Sequence, residues 1–452
     1  MKIVLAINAG SSSVKISVYQ AEGRGSAPVR LAEAQVSGLT APPARLTYDR
    51  GGVPVHRGKD VSAGGTAIST QGDAFALLLD TIVGDEGLAQ VRSRDDVALA
   101  CHRVVHGGDY ASSQLITAST LHHLSALSDL APLHNGPALG IVRSCLGPEA
   151  DGGGGGLLPR AANVACFDTQ FHASIPPHVR TYPIDQAVAC SNGLRKYGFH
   201  GLSYAFITRA TAAHLGKPGS ETSLVALHLG SGASACAVRA GRSADTSMGL
   251  TPLAGLPGAT RSGSVDPSLV FHYASDVGRL SPSSTADLHI SRAEEILNKR
   301  AGWSALAGTT DFAAIASAAA EDPASNPEAA LAFDLFVDRV SAFVGSYYVS
   351  LRGRVDALVF AGGIGEKSPR LRAAVVGQVS CLGFTIDPSK NDADAPDAPG
   401  STVWDIGAPG SAHRVLVCRT DEQYEMARDG VSRDDVWSSS PSSLPTSSSS
   451  ST

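Results

Sequence analysis

The N-terminal stretch MKIVLAINAGSSSVKISVYQ (residues 1–20) decides the fold. Lys2 to Ile7 is a short, nearly continuous apolar run, and Val14 to Tyr19 is a second, half-alternating one. Asn8-Ala9-Gly10-Ser11-Ser12-Ser13 lies between them. Two β-prone runs joined by small polar residues predict a hairpin. The serines and the glycine of its turn leave backbone N–H groups and hydroxyls uncovered, and Lys15 follows just past the bend. Such a turn can wrap an anion, with backbone donors forming a nest and an ammonium supplying charge. It is not a Walker A loop, because G-x-x-x-x-G-K-[ST] is absent and no helix follows the glycine. Taken alone, a Gly/Ser hairpin turn is usually only a turn.

A second copy changes that reading. Ser223 to Leu229 (SLVALHL) is another buried run, Gly230-Ser231-Gly232-Ala233-Ser234 is another small-residue turn, and Ala235 to Val238 resumes strand character. The recurrence predicts a duplicated α/β fold whose two turns face each other across a cleft.

Composition narrows the function classes. A chain of 452 residues is long enough for two domains, each with its own core. Its 36 basic and 42 acidic residues are scattered and give a net charge of −6, so no basic stripe points to nucleic acid. The 7 cysteines are widely spaced, with neither C-x-x-C nor a Cys/His cluster, and predict free thiols in a reducing compartment. The first apolar run is too short for a signal peptide, and no stretch approaches the roughly 18 apolar residues of a membrane span. A soluble, cytoplasmic protein is expected.

Further along, residues 20–72 read as hairpins with loops. Asp73 to Val83 reads as a helix with Asp73 as its cap. Val97 to His106 reads as a buried strand carrying Arg103. Leu121 to Leu130 reads as a short helix, broken by Ala131-Pro132-Leu133-His134-Asn135. Gly152 to Gly156 marks a surface insertion within 147–160. Ala162 to Phe167 reads as a strand delivering Asp168-Thr169, and the crossing between domains is placed just after it. Leu194 to Ser203 reads as a polar and aromatic turn, and residues 244–267 as a long functional loop. Ala329 to Leu351 shows the i, i+3, i+4, i+7 spacing of a helix, stopped by Gly353. Ala357 to Phe360 reads as a strand and Ala361 to Glu366 as a glycine turn. Ser368-Pro369 then opens a helix as N-cap and first residue. Residues 386–402 read as a loop, Val415 to Arg419 as a strand and Glu422 to Arg428 as a short helix. The Ser-rich residues 437–452 read as disordered. The expected domains are 1–169 and 170–423, with 424–436 returning to the first.

Arg103, His134, Asp168, His200, His228, Arg261 and Glu422 stand at strand ends or in Gly-rich breaks. Each has an ordinary structural alternative. Together with three glycine turns they match what phosphoryl transfer needs: donors around a charged, planar transition state, a divalent cation and an aligned acceptor.

Ten ordered blocks resemble the acetate kinase family over residues 1 to about 430: INAGSSSVK (7–15), HRVVHGG (102–108), APLHN (131–135), FDTQFH (167–172), RKYGFHG (195–201), HLGSGAS (228–234), DTSMGLTPL (245–253), ATRSGSVDP (259–267), GGIGE (362–366) and the Glu422 region. The resemblance implies the fold of the acetate- and sugar-kinase/actin superfamily, with two related α/β domains and the active site between them. It also implies reversible transfer from ATP to acetate, giving ADP and acetyl phosphate, with Mg²⁺ (Mn²⁺ as an alternative), in a homodimer. By that resemblance Asn8 and Glu422 support the metal. Ser11, Ser13 and Lys15 form the first phosphate turn, and His228, Gly230, Ser231 and Gly232 the second. Arg103 and Arg261 bind the carboxylate and brace the phosphoryl. His200 stabilises the transition state, His134 supports it and Asp168 orients the site. Val105, Leu133, Phe199 and Pro252 line the methyl pocket. Asp311, Phe312, Gly363, Ile364 and Gly365 match the adenosine side.

A carboxylate acceptor is already ionised at neutral pH, so Asp168 is expected to orient rather than accept a proton, and no phosphoenzyme is needed. The sequence departs from the family pattern at Ser231 (usually Asn), Ala259 (Gly), Ala254 (Glu), Gly136 (Pro), Ala313 (Arg) and Lys367 (Asn). The last two leave the phosphoryl donor open. Alternatives are a related short-chain acyl kinase, a pyrophosphate-using enzyme and an inactive nucleotide-binding actin-like module.

Overall fold

The computed structural model describes residues 1–10, 12–61, 68–127, 135–147, 155–273, 279–280, 289–290, 292–393 and 401–438. The strands of the first half are β1 (Lys2–Ala9), β2 (Ser13–Ala21), β3 (Val29–Ser37), β4 (Arg45–Arg50), β5 (Val53–Asp60), β6 (Val97–Val104), β7 (Gln114–Leu115) and β8 (Ala162–Phe167). The second half supplies β9 (Leu224–Leu229), β10 (Ala233–Arg239), β11 (Arg242–Thr246), the short pair β12 (Arg279–Leu280) and β13 (His289–Ile290), β14 (Ala357–Ala361), β15 (Val403–Asp405) and β16 (Arg414–Cys418).

The expected hairpin is present, with β1 antiparallel to β2 and Asn8 opposite Lys15. The first sheet runs β5-β4-β3-β2-β1-β6-β8-β7, and the second runs β11-β10-β9-β14-β16-β15. Strip away β4 and β5 and the two sheets share one plan. A three-stranded antiparallel meander (β3-β2-β1; β11-β10-β9) is extended by two parallel strands (β6 and β8; β14 and β16) and closed by an antiparallel edge strand (β7; β15). The chain is therefore a duplication, as the recurring strand–turn–strand predicted.

The continuous apolar runs of β1 and β9 follow from their central places, because each is covered on both faces. Ile3, Leu5 and Ile7 of β1 enter one core with the helix Gln71–Val83, while Val4 and Ala6 enter another with the helix Glu422–Ser432. Val225, Leu227 and Leu229 of β9 face the core under the helices Phe312–Glu321, Pro327–Ser350 and Pro369–Gln378. Leu224 and Ala226 face the helix Gly201–His214. The last long helix thus crosses back to the first sheet, where Gln423 Nε2 donates to the Ala6 carbonyl at 3.1 Å.

Several boundaries differ from the sequence reading. Thr70, not Asp73, caps the helix Gln71–Val83; Asp73 is the reciprocal member of a capping box. The glycine turn after β14 is a short helix, Gly362–Lys367, that kinks at Ser368 into the helix Pro369–Gln378. The expected loop after residue 386 contains a short helix, Pro388–Asp392, before β15 begins at Val403. Gly136 and Pro137 open a helix, Gly136–Leu146, because proline suits a first turn. The Leu194–Ser203 turn ends in the helix Gly201–His214. Residues 439–452 of the expected tail lie outside the described residues. All seven cysteines are free; Cys190 and Cys381 are exposed and the others buried. Among the described residues no helix is long and apolar enough to cross a membrane.

Candidate active site

Parallel strands of an α/β sheet present loops and ligands at their carboxyl ends. Here the central strands of both sheets end at one cleft of ≈ 1010 Å³. Asn8 closes β1, Arg103 closes β6, His228 sits near the end of β9, Gly362 follows β14 and Arg419 follows β16, and all five line that cleft. Asp168 follows β8 and lies just behind the wall, 1 % exposed.

Arg103 is gripped from behind. Its Nε donates to Asp168 Oδ1 at 2.9 Å and its Nη2 to Asp168 Oδ2 at 2.6 Å, a bidentate pair. Nη1 donates to Asn8 Oδ1 at 3.2 Å. Burial pushes the Asp168 carboxyl upward from its ordinary value against the pull of Arg103, whose own pKa is raised by Asp168 and Glu422 over the opposing effect of burial. The guanidinium stays charged. With both its oxygens committed, Asp168 orients Arg103 and offers no general base.

Glu422, the first residue of its helix, accepts from Ser203 Oγ at 2.6 Å through Oε1 and from Asn8 Nδ2 at 3.3 Å through Oε2. Burial would raise its pKa, but the neighbouring Arg103 charge outweighs that and holds it below its ordinary value, so it is ionised. A carboxylate and an amide oxygen at one cleft wall suit Mg²⁺, which keeps several waters and takes few protein ligands beside substrate phosphates. Among the described residues no group of three or more His, Cys, Asp or Glu could form a closed metal cage.

Arg261 arrives from the long loop after β11. Its backbone is pinned: Gly258 N donates to Arg261 O at 3.0 Å, Ala259 N to Ser231 O at 2.8 Å and Ser262 N to Leu297 O at 3.0 Å. Its guanidinium lies over the second phosphate turn, so a Cβ on Gly232 would stand 2.0 Å from Arg261 Nη2. Burial and then the neighbouring Arg103 lower the Arg261 pKa. Two guanidinium groups, one from each half of the chain, therefore converge on one crevice.

His200 sits at φ 58° just before the helix Gly201–His214, a left-handed setting that turns its ring into the cleft. The turn is fixed because Gly201 N donates to the Asp168 carbonyl at 2.8 Å, and no Cβ fits there. His172 donates to the Phe199 carbonyl at 2.9 Å from Nε2, with Nδ1 toward Ser243 Oγ at 2.8 Å. Burial, then His228, Arg103 and Arg261, push His200 well below the ordinary imidazole value. His228 is lowered too, mainly by burial. The two rings lie 4.3 Å apart, both neutral at pH 7.

Val105 and Phe199 meet in a small apolar cluster with Tyr197, Met248 and Leu250. Asn135 fixes one side of it by accepting from His106 N at 2.9 Å and donating to His106 O at 3.0 Å. Pro252 is buried in the following loop. Leu133, His134 and Ser11 lie outside the described residues.

Lys15, Gly230, Ser231 and Gly232 of the two expected phosphate turns line the cleft, as does Gly363 of the expected adenosine side. Ser13 holds the first turn through its carbonyl, accepting from Gly10 N at 2.8 Å. Lys15 is not a free cation, since its Nζ pairs with Glu33 Oε1 at 2.9 Å. The other expected adenosine-side residues sit at the start of the helix Phe312–Glu321 or on the helix Gly362–Lys367. Asp311 caps the helix Phe312–Glu321, accepting from Ala313 N and Ala314 N. Phe312 is 4 % exposed and packs on Trp303, Phe333 and Phe336. Ile364 packs on the same core and Gly365 is buried beneath it. Gly363 is the member of this set that borders the cleft. Sequence reading missed Arg30, Glu33, Arg419 and Asp421, which do line it. The Lys15, Ser17, Tyr19 alternation, opposite Glu33 and Arg30 across the β2–β3 register, carries the signal for the first two.

The model of the acetokinase family matches residues 3–428. A protein of Chaetomium globosum named as a probable acetate kinase is 57% identical, over 97% of this chain and 99% of that one. Among solved structures, a propionate kinase from Francisella tularensis superposes with a TM-score of 0.77 at 30% identity, covering 95% of this chain and 99% of that one. An acetate kinase from Porphyromonas gingivalis gives 0.75 at 29%, with the same coverage. The duplicated sheets are thus the two domains of the actin-like, sugar-kinase-type fold. With paired arginines across the interdomain cleft and near full-length matches on both sides, the chain belongs to the acetokinase family.

Proposed function

We propose that the protein is an acetate kinase, moving a phosphoryl group between ATP and acetate to give ADP and acetyl phosphate by direct in-line displacement. The convergence of Arg103 and Arg261 on one cleft carries this reading. A module that only bound nucleotide would have no use for two partly buried guanidinium groups lining one cleft beside a neutral histidine.

The acetate methyl enters the cluster of Val105 and Phe199, and its carboxylate faces Arg103. One carboxylate oxygen attacks the γ-phosphorus. The bond from that phosphorus to the β–γ bridging oxygen breaks, and ADP leaves with the electron pair. No proton moves, because the acceptor is already ionised. Arg103 and Arg261 spread over the equatorial oxygens, whose charge is largest at the transition state. The two small-residue turns cradle the remaining phosphates. Asn8 and Glu422 would hold Mg²⁺, which when bound neutralises phosphate charge. Family membership and the names of the relatives support acetate as acceptor and a kinase's donor, ATP; a homodimer and a cytoplasmic setting are part of the same proposal.

Trapping acetyl phosphate as the hydroxamate, with acetate, MgCl₂ and ATP, tests the reading; a folded preparation that forms none refutes it. A panel of propionate, butyrate and pyrophosphate fixes the substrate range. Each added methylene shifts binding by about 1–3 kcal/mol, so propionate is expected to be poorer, not excluded.

A further inference from the structure

His200 is backed by hydroxyls that lie behind the cleft. Its Nδ1 is 2.8 Å from Ser234 Oγ, and Ser234 Oγ is 2.6 Å from the phenolic oxygen of Tyr204. Ser234 and Tyr204 are 0 % exposed, so water does not compete for their protons. A buried phenol that fails to place its proton leaves an unsatisfied donor. Ser234 Oγ is the hydrogen-bond partner within reach of that phenol. Ser234 Oγ is therefore the acceptor for the Tyr204 proton. Ser234 must then direct its own hydrogen to His200, and Nδ1 receives it. An uncharged imidazole that accepts at Nδ1 carries its proton on Nε2. Nε2 is the nitrogen on the cleft side: a Cβ on Gly232 would lie 3.7 Å from it, next to the Arg261 guanidinium.

We propose that Tyr204 and Ser234 are positioning residues that lock His200 as its Nε2–H tautomer, so that a neutral ring donates to the phosphoryl group held by Arg103 and Arg261. The proposal rests on the phosphoryl-transfer reading of the cleft. It explains how a third donor joins two cations without a third charge. It also explains the buried Ser-Tyr pair, whose oxygens serve neither sheet pairing nor substrate contact.

Nitrogen NMR of the ¹⁵N-labelled protein at pH 7 tests it directly, with the ring signals assigned by their loss in His200→Gln. The expected spectrum shows Nε2 protonated and Nδ1 as a bare acceptor. Ser234→Ala is expected to move both ring signals toward tautomeric averaging. It should lower kcat about tenfold, the scale of one lost hydrogen bond to a catalytic donor, with KM for acetate and ATP near the wild-type values. Tyr204→Phe shifts the same signals less, because Ser234 keeps its hydroxyl. An Nδ1–H ring or an imidazolium in the wild type overturns the proposal. So does a Ser234→Ala protein with wild-type kcat and unmoved ring signals. If the variants do not fold, the wild-type spectrum alone decides. A wild type that makes no acetyl phosphate, whatever its tautomer, refutes the kinase reading instead.

Discussion

Gly232→Ala asks whether the second phosphate turn sets the position of Arg261. The added Cβ would stand 2.0 Å from Arg261 Nη2 and 3.3 Å from its Cζ. Gly232 lies outside the left-handed region, so alanine brings no backbone strain. The obstacle is the far end of a flexible side chain, so the clash is relieved by moving the guanidinium. Restoring an ordinary contact of about 3.4 Å requires a retreat of about 1.4 Å. A displacement of about 1 Å at a reacting centre costs about 10²-fold, or about 2.7 kcal/mol of barrier. The hydroxamate assay is expected to show kcat down by about that factor, while thermal unfolding moves by less than about 3 °C. A double-mutant cycle isolates the route. Arg261→Ala alone is expected to lower kcat by at least about 10²-fold, and adding Gly232→Ala should then cost little more. Turnover of Gly232→Ala within threefold of wild type, on the order of 0.6 kcal/mol, would refute the reasoning. Losses that multiply in the double variant would show that the methyl acts on the phosphate and not through Arg261.

Asp168→Asn keeps the shape behind Arg103 but leaves a largely buried cation with only the longer Glu422 pairing at 3.8 Å. It should lower both kcat and the denaturant midpoint, the latter by about 3 kcal/mol of stability. Chelation with EDTA is expected to abolish turnover and Mg²⁺ or Mn²⁺ to restore it, with Glu422→Gln needing more metal for half-maximal rate. Gly302→Ala places a Cβ 2.1 Å from the Gly258 carbonyl at φ +67°, against backbone that cannot yield; soluble yield and melting temperature should fall together. Burial pushes His102, His106 and His172 down to about 4. The unfolded chain therefore binds more protons between pH 6.5 and about 4, and stability is full above 6.5 and lost as pH falls through that window. The loss approaches about 3 kcal/mol per histidine near pH 4. Urea midpoints that stay flat from pH 7 to 4.5 would contradict this.

The sequence showed where strands end and which polar groups stand there, because a central strand is apolar throughout and its first polar residue marks the exit. It did not show the helix Gly201–His214. Ser203, Thr208 and Thr211 are buried on it together with Leu202, Phe206 and Ile207, so it has no polar stripe to set a period. Gly362-Gly363 read as a turn because composition alone does not separate a break from a first helical turn. Lys15 read as a free phosphate ligand because its partner Glu33 is brought in by the β2–β3 register. The packing of Phe312 on Trp303 and Phe336 was not legible, because those partners are set by tertiary contacts.

What joins the legible and the illegible parts is the duplication. Each sheet sends its central parallel strands toward the same cleft, so each half delivers its own cation, Arg103 from β6 and Arg261 from the loop after β11. Neither half encloses a phosphoryl group by itself. The pieces that register them to each other are short and specific: the bond from Gly201 N to the Asp168 carbonyl, and Glu422 bound to Ser203 on one side and Asn8 on the other. Glu422 thus ties the spacing of the two halves together. Loosening one of these ties should reduce turnover without unfolding either sheet, because most of the apolar core lies on the sheet faces, with Leu202 and the Val105–Phe199 cluster supplying apolar contact between the halves. Ser203→Ala is the mildest such change. Its expected signature is a kcat loss with an unmoved melting temperature, and a matched fall in both would place Ser203 in the core's stability instead.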